Sequence, residues 1–273
     1  MERSVEGTSR RRSGRQWRAA TGAAIIERET PTEAAIGISF DGRPHTVLMA
    51  TPADIADLAA GFTVTEGVAD FAAILGIEVR AAAEGWLADV RLAPDGRRRA
   101  ARPRTLEGRS SCGLCGVQRL ADAVRPLPRV ETDLSVTARA VQRATATLED
   151  RQPLGRATRA THAAAFAAPN GDLLRVREDV GRHNALDKLA GALLADGFDP
   201  SAGFVVVTSR CSFEMVEKTA RIGCPMIVAV SAPTDLAIRK AEEAGVSLVA
   251  LARVDGHTVF SRADRLICDP VPA

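Results

Sequence analysis

The second half of the chain alternates short apolar runs with helical patterns, and this alternation restricts the fold more than any other feature. Four runs have the length and apolar character of buried strands: 173–176, 203–208, 225–230 and 246–251. Three patterns with apolar residues at helical spacing separate them: 183–195, 213–222 and 234–244. Strands that alternate with helices predict a parallel or mixed sheet covered on both faces.

The first half of the chain predicts a smaller, strand-rich unit. Asp41-Gly42 lies between two apolar runs, which indicates a β-hairpin over 35–49. A helix is predicted to follow, with Thr51 as its cap and Pro52 in its first turn. Further strands are predicted near 77–79 and 86–92, and a helix over 136–148. The Pro/Gly break at 152–155 divides a domain over 23–150 from one over 151–273.

Residues 1–22 are rich in arginine and lack apolar periodicity, so we expect a disordered basic tail. The whole chain has a formal net charge of only +2, which argues against nucleic acid as a partner. The apolar run over 19–26 is too short for an export signal, and no stretch approaches the ~18 apolar residues of a membrane span. We therefore expect a cytoplasmic protein without a membrane partner.

Two cysteines, Cys112 and Cys115, lie two residues apart among small and polar residues over 110–116. Gly113 and Gly116 favour a tight turn, so an accessible loop is predicted. The arginine-rich stretch before them extends the predicted mobile loop to about 97–117, and nearby cations lower the pKa of a thiol. A solvated basic loop with no such role explains the arginines equally well.

Other uses of a CxxC pair fit less well. A structural zinc site usually needs four ligands, and the sequence has no second CxxC or H-x₃₋₅-H motif. Zinc deaminases need H-x-E and P-C-x-x-C, whereas Ala164 follows His162 at the carboxylate position and Ser111 replaces the proline. A thioredoxin-like redox motif belongs at a helix N-terminus, whereas Gly116 and the arginines favour a loop. No permanently bound metal is expected.

Polar residues follow three of the predicted parallel strands, at 208–210, 231–234 and 251–253. The carboxyl ends of such strands meet at one edge of a sheet, where ligands commonly bind. Hydroxyl groups, helix N-termini and the guanidinium groups of Arg210 and Arg253 suit phosphate. Ordinary helix capping by Ser209, Ser231 and Thr234 is the simpler explanation of the hydroxyl groups.

Four segments together resemble the FdhD family of formate dehydrogenase accessory sulfurtransferases. They are 110–116 (SSCGLCG), 178–188 (EDVGRHNALDK), 231–237 (SAPTDLA), and 49–54 (MATPAD) with Gly61-Phe62 and Glu66-Gly67. The similarity extends over about 33–265. It implies an α/β (α+β) protein with a small N-terminal β-rich domain and a C-terminal three-layer domain similar to cytidine deaminases, assembled as a homodimer.

The resemblance implies a sulfur carrier. Such a protein accepts persulfide sulfur from a cysteine desulfurase and transfers it to the molybdenum bis(molybdopterin guanine dinucleotide) cofactor, Mo-bisMGD. The cofactor is a bound substrate, and the formate dehydrogenase catalytic subunit is the client. A cofactor-binding chaperone that transfers no sulfur remains the alternative.

The family pattern assigns the persulfide to Cys112, with Cys115 as a second catalytic thiol that relays the sulfur or resolves the persulfide. The cofactor-binding segment falls on Leu251, Ala252, Arg253, Val254, Asp255 and Gly256. The chain departs from the pattern at 158–162, which lacks a glycine pair before the histidine. It also has Leu251 and Phe260 where phenylalanine and tyrosine are usual.

Overall fold

A computed structural model describes residues 7–96 and 126–268. The elements of the first part are β1 (Ser9–Arg18), β2 (Gly22–Pro31), β3 (Ala34–Phe40), β4 (Arg43–Ala50), α1 (Ile55–Thr65), β5 (Ile74–Ala82) and β6 (Gly85–Leu92). Those of the second part are β7 (Val136–Thr137), α2 (Ala138–Thr147), α3 (Pro153–Thr158), β8 (His162–Ala167), β9 (Leu173–Asp179), α4 (Arg182–Ala195), β10 (Phe204–Val207), α5 (Phe213–Arg221), β11 (Met226–Ala229), α6 (Asp235–Ala244), β12 (Ser247–Arg253), β13 (Gly256–Ser261) and β14 (Leu266–Ile267).

The N-terminal unit is a four-stranded sheet in the order β4-β3-β6-β5, with α1 on one face. The predicted β3–β4 hairpin forms around Asp41-Gly42, where both residues have positive φ. Alternate β3 residues, Ile36 and Ile38, are buried with Leu58 of α1. Period-2 burial on the sheet and helical spacing on α1 therefore build one core between them.

The C-terminal unit is a six-stranded sheet in the order β13-β12-β11-β10-β8-β9. Strands β10, β11 and β12 are parallel, and the outer pairs are antiparallel. Successive side chains of β10 alternate between two cores: Val205 packs with α4, α5 and α6, and Val206 packs with α2. Helices cover both faces, so the predicted three-layer α/β (α+β) architecture is confirmed.

The predicted domain boundary near residue 150 is wrong. Helix α2 packs against the C-terminal sheet through Ala140, Val141 and Ala144, and β7 pairs with β14 at the end of the chain. The Val130 amide already donates to the Ala244 carbonyl at 2.8 Å. The C-terminal unit thus includes residues from about 130. The sequence does not reveal this, because the apolar face of a helix does not identify the sheet that it covers.

The prediction of a disordered tail over 1–22 is wrong for residues 9–22, which form β1 and the turn to β2. Cross-strand polar contacts accompany this hairpin: Arg11 Nε lies 3.5 Å from Glu29 Oε1, and the Ser9 hydroxyl donates to Glu29 at 2.9 Å. Both faces are largely exposed, including 72% of Trp17. Strands that bury neither face need no alternation of apolar and polar residues. The sequence of β1 therefore lacks the period of two that would predict a strand.

The predicted CxxC loop over 97–117 lies outside the described residues, and so do Cys112 and Cys115. Within the described ranges, no helix is long and apolar enough to cross a membrane.

Candidate functional site

The loops after β10, β11 and β12 lie side by side at one edge of the C-terminal sheet, as predicted. The Leu251 amide donates to the Ser231 carbonyl at 3.2 Å, and the Cys211 amide donates to the Ala232 carbonyl at 3.2 Å. A third bond joins the Thr234 amide to the Cys211 carbonyl at 3.0 Å. The parallel register of the three strands therefore places these loops in a row.

The residues predicted to bind the cofactor form the turn from β12 to β13. Leu251 has a φ of 53°, and Val254 is 78% exposed. Arg253 and Asp255 are exposed, whereas the Ala252 side chain is buried against α2. Gly256 pairs with Arg253 across the turn. The turn thus presents an exposed cation and apolar surface beside the row of loops.

Helix capping explains one of the three hydroxyl groups at this edge. The Thr234 side chain accepts from the Ala237 amide at 3.3 Å and caps α6. The Ser209 hydroxyl instead donates to the Arg210 carbonyl at 2.9 Å.

The segment EDVGRHNALDK forms a buried polar cluster around Asp179 and Lys188. The Lys188 ammonium lies 2.6 Å from Asp179 Oδ2, and both side chains are fully buried. Lys188 also donates to the Thr51 carbonyl at 2.9 Å, and the Thr51 amide donates to Asp179 at 3.0 Å. The Asn184 amide group donates to the Met49 carbonyl at 2.9 Å. These bonds join the end of β4 to β9 and α4.

Thr51 does not cap α1, contrary to the prediction. Asp54 occupies the N-cap position in a left-handed conformation without a side-chain cap bond. The Thr51 hydroxyl accepts from the Val180 amide at 3.2 Å instead. A buried partner from the other unit therefore takes this side chain away from its own helix.

A second buried cluster lies around Lys218 of α5. Its ammonium donates to Asp187 at 2.8 Å, to Glu66 at 2.9 Å and to the Thr65 hydroxyl at 3.0 Å. Burial favours the neutral amine, but the two carboxylates outweigh it and raise the pKa of Lys218. Burial, together with the nearby Glu66 charge, raises the pKa of Asp187. Two carboxylates, Asp187 and Glu66, share one ammonium group, so the raised pKa of Lys218 is consistent with the raised pKa of Asp187.

The Lys218 cluster lies at the contact between α1 and α4, whereas the Asp179–Lys188 cluster joins the end of β4 to β9 and α4. A Cβ atom on Gly61 would overlap the Asp187 carbonyl, and one on Gly191 would overlap the Asp57 carbonyl, so the two backbones touch. Two of the four segments that carry the family resemblance thus contribute to the contacts between the two units: 178–188, and 49–54 with Gly61-Phe62 and Glu66-Gly67. Their observed contacts fix the two units together.

The described cysteines differ in accessibility. Cys211 and Cys224 are buried, and burial raises the pKa of each thiol to about 12. Cys268 is exposed. In the described part of the chain, His, Cys, Asp and Glu residues form no group of three or more that could hold a metal ion.

Comparisons with known proteins agree with this architecture. The model of the FdhD/NarQ family matches residues 31–267. A sulfur carrier protein FdhD of Agrobacterium fabrum is 46% identical over 269 residues, which cover 97% of this chain and 98% of the relative. The sulfur carrier protein FdhD of Cupriavidus necator is 44% identical over 240 residues, covering 87% of this chain and 83% of that protein.

A solved structure shares the fold. It is described as that of a formate dehydrogenase accessory protein from Desulfotalea psychrophila, and it aligns with a TM-score of 0.74 at 24% identity. The alignment covers 95% of this chain and 100% of the other.

Proposed function

Because this chain belongs to the FdhD/NarQ family, as its motifs predict, we propose that it is a sulfur carrier for the maturation of formate dehydrogenase. Relatives that align along most of their length are named sulfur carrier proteins. This identity, together with the Cys112-x-x-Cys115 motif, is the observation on which the proposal rests. The client is a formate dehydrogenase catalytic subunit, and the reaction takes place in the cytoplasm.

The proposed chemistry moves a sulfur atom without net oxidation. The Cys112 thiolate attacks the outer sulfur of a persulfide on a cysteine desulfurase. A new S–S bond forms on Cys112, and the donor cysteine leaves as a thiolate. In the second step the S–S bond on Cys112 breaks: the outer sulfur passes as a neutral sulfur atom to Mo-bisMGD, which is the substrate, and Cys112 keeps the bonding electron pair and returns to a thiolate. A thiol that does this must be nucleophilic and accessible, whereas the buried Cys211 and Cys224 are neither.

Cys115 has two possible roles that differ in their products. As a relay, it accepts the outer sulfur from Cys112 and becomes the persulfide itself. As a resolving thiol, it attacks the inner sulfur, releases hydrosulfide and closes a Cys112–Cys115 disulfide. Intact mass spectrometry of a Cys115→Ala variant distinguishes these roles, because only a resolving Cys115 releases the extra sulfur from the chain. A resolving Cys115 therefore makes the sulfur adduct last longer in the variant than in the wild type, whereas a relay keeps the sulfur on the chain.

We place the guanine nucleotide part of the cofactor at the turn Leu251–Gly256. The row of strand-end loops supports this assignment, because the bond from the Leu251 amide to the Ser231 carbonyl brings the turn with the exposed Arg253 to the loop that precedes α6. A guanidinium group and a helix N-terminus both favour a phosphate group. Calorimetry with GDP should show binding that weakens in Arg253→Ala and persists in Arg239→Ala, whose side chain is exposed on α6. Equal affinities in the two variants would contradict the assignment.

A chaperone that binds the cofactor without sulfur transfer is the alternative. The two functions separate in cells that lack the endogenous gene and are supplied with Cys112→Ala or Cys268→Ala. A sulfur carrier loses formate dehydrogenase maturation in Cys112→Ala only, whereas a chaperone supports maturation in both. Cys268 is a suitable control because it is an exposed thiol outside the motif.

We also propose that the protein is a homodimer, which rests on the family resemblance. Sedimentation equilibrium should give twice the 28.8 kDa mass of a single chain. The mass of a single chain would contradict the proposal.

A further inference from the structure

Four basic side chains outside the β12–β13 turn come from distant parts of the sequence to one corner of the C-terminal unit. They are His162, Arg182, His183 and Arg210. His162 opens β8 and faces Asp179, the last residue of β9, in the antiparallel register. Arg182 and His183 begin α4 directly after β9.

Arg210 reaches the same corner from the end of β10. The Thr208 hydroxyl accepts from the Ala163 amide at 2.9 Å, and the Thr208 amide donates to the Ala163 carbonyl at 3.1 Å. These bonds fix the loop that carries Arg210 beside the start of β8. Arg210 itself is exposed.

Buried polar atoms at this corner lack hydrogen-bond partners. Arg182 Nε, His183 Nε2 and Glu214 Oε1 are each inaccessible to solvent and unsatisfied. Only 10% of the Glu214 side chain is exposed. His183 Nε2 lies 3.3 Å from Glu214 Oε2, which is an electrostatic contact without the alignment of a hydrogen bond. Burial without a partner costs free energy, so the two nitrogen atoms, Arg182 Nε and His183 Nε2, indicate a place where an acceptor ligand completes the bonding. Glu214 Oε1 is itself an acceptor and is not satisfied by an anion.

The electrostatics of the corner are those of a cationic site. Burial lowers the pKa of His162, and the charges of Arg182, His183 and Arg210 lower it further. For Glu214, burial would raise the pKa, but His183, Ser212 and Arg182 outweigh it and hold the pKa below its usual value. Asp179 is already engaged by Lys188 at 2.6 Å. Glu214 therefore balances only part of the positive charge.

We propose that His162, Arg182, His183 and Arg210 form an oxyanion site that binds a phosphate group. Arginine donors suit phosphate oxygens, and the first turns of α4 and α5 add amide dipoles of the same sign. The phosphate has two possible sources, a nucleotide ligand or free inorganic phosphate. The site involves no thiol, so it does not depend on sulfur transfer.

The test is calorimetric titration of the full-length protein with inorganic phosphate and with pyrophosphate. Arg210→Gln is the main variant, because its exposed side chain can change without disturbing the core. We expect it to weaken the binding of at least one of these anions about tenfold, as expected for the loss of a charge-assisted hydrogen bond. Arg182→Gln should do the same. The matched control is Arg239→Gln, an exposed arginine paired with Asp235 on α6.

Three results would overturn the proposal. They are no binding of either anion, equal weakening in Arg210→Gln and Arg239→Gln, or loss of anion binding in Arg253→Gln while Arg210→Gln binds normally. The last result would move the phosphate to the β12–β13 turn.

Comparison of GDP with guanosine identifies the source of the phosphate. If Arg210→Gln weakens GDP binding and leaves guanosine binding unchanged, the site serves a nucleotide. If it weakens inorganic phosphate alone, the site serves the free anion. Cys112→Ala should leave both titrations unchanged, so failure of the sulfur carrier proposal and failure of this one are separable.

Discussion

Replacement of Lys188 by methionine tests whether the buried ion pair holds the two units together. Methionine has a similar unbranched shape but lacks the charge, so Asp179 would keep a buried carboxylate without its cation 2.6 Å away. The Thr51 carbonyl would also lose a donor at 2.9 Å. Removing one partner of a buried pair costs about 3–5 kcal/mol. For a chain of this size, each kcal/mol lowers the melting temperature by about 2–4 °C, so a fall of about 6–20 °C is expected.

The assay is urea unfolding followed by circular dichroism, with Arg239→Met as the control. Arg239 Nε lies 3.1 Å from Asp235 on α6, and both side chains are largely exposed. Exposed pairs contribute about 0–1 kcal/mol. If Lys188→Met costs no more free energy of unfolding than Arg239→Met, the buried pair does not stabilise the contact between the two units.

A double variant adds an internal check. Asp179→Asn combined with Lys188→Met removes both charges, so the double variant should be more stable than the sum of the two single losses predicts. Strict additivity would show that the two side chains do not interact.

Three further predictions concern packing, thiol reactivity and pH. Gly61→Ala should lower the free energy of unfolding by about 1–3 kcal/mol, because its methyl group would overlap the facing helix backbone; an unchanged urea midpoint would contradict this. In the native protein at mildly alkaline pH, iodoacetamide should modify Cys268 and leave Cys211 and Cys224 unmodified by peptide mass mapping, since burial raises the pKa of both thiols to about 12. The folded state lowers the pKa of His162 from 6.5, so its contribution to stability is fully present above pH 6.5 and is lost as the pH falls through 6.5 toward the folded value. His162→Gln should therefore reduce the loss of stability between about pH 7.5 and 5.5, and an unchanged pH profile would contradict this.

The central strands of the C-terminal sheet were predictable because they are short runs of apolar residues that are buried on both faces, and the helices between them because their apolar residues recur at helical spacing. Helix α4 is predicted at 183–195 and observed at Arg182–Ala195, and α6 is predicted at 234–244 and observed at Asp235–Ala244. Strand β8 was missed, since its sequence HAAAFA is mostly alanine, which has low strand propensity. Its place in the sheet comes from partners on both sides rather than from its own residues.

The sequence identifies the motif that supplies the buried clusters, but it does not show which residues pair with each other. Asp187 and Lys188 are neighbours in the chain, yet Asp187 bonds to Lys218 and Lys188 bonds to Asp179. Successive helical residues point in directions about 100° apart, so only the fold shows which partner each one meets. One signal was available: the chain has only three lysines among many arginines, and Lys188 and Lys218 are both buried.

The proposed oxyanion site was not predictable from sequence, because its residues lie on three segments that are far apart in the chain. His162 and Arg210 are 48 positions apart, and the pairing of β8 with β10 brings their segments together. The resemblance to a known family was more informative for Cys112, whose assigned role depends on the motif and remains a prediction.

Intact mass spectrometry after incubation with a cysteine desulfurase and cysteine shows whether Cys112 carries the sulfur. The protein should gain one sulfur atom, about 32 Da, and this gain should disappear in Cys112→Ala and persist in Cys268→Ala. An unmodified wild-type mass, or an adduct that survives Cys112→Ala, would contradict the proposal.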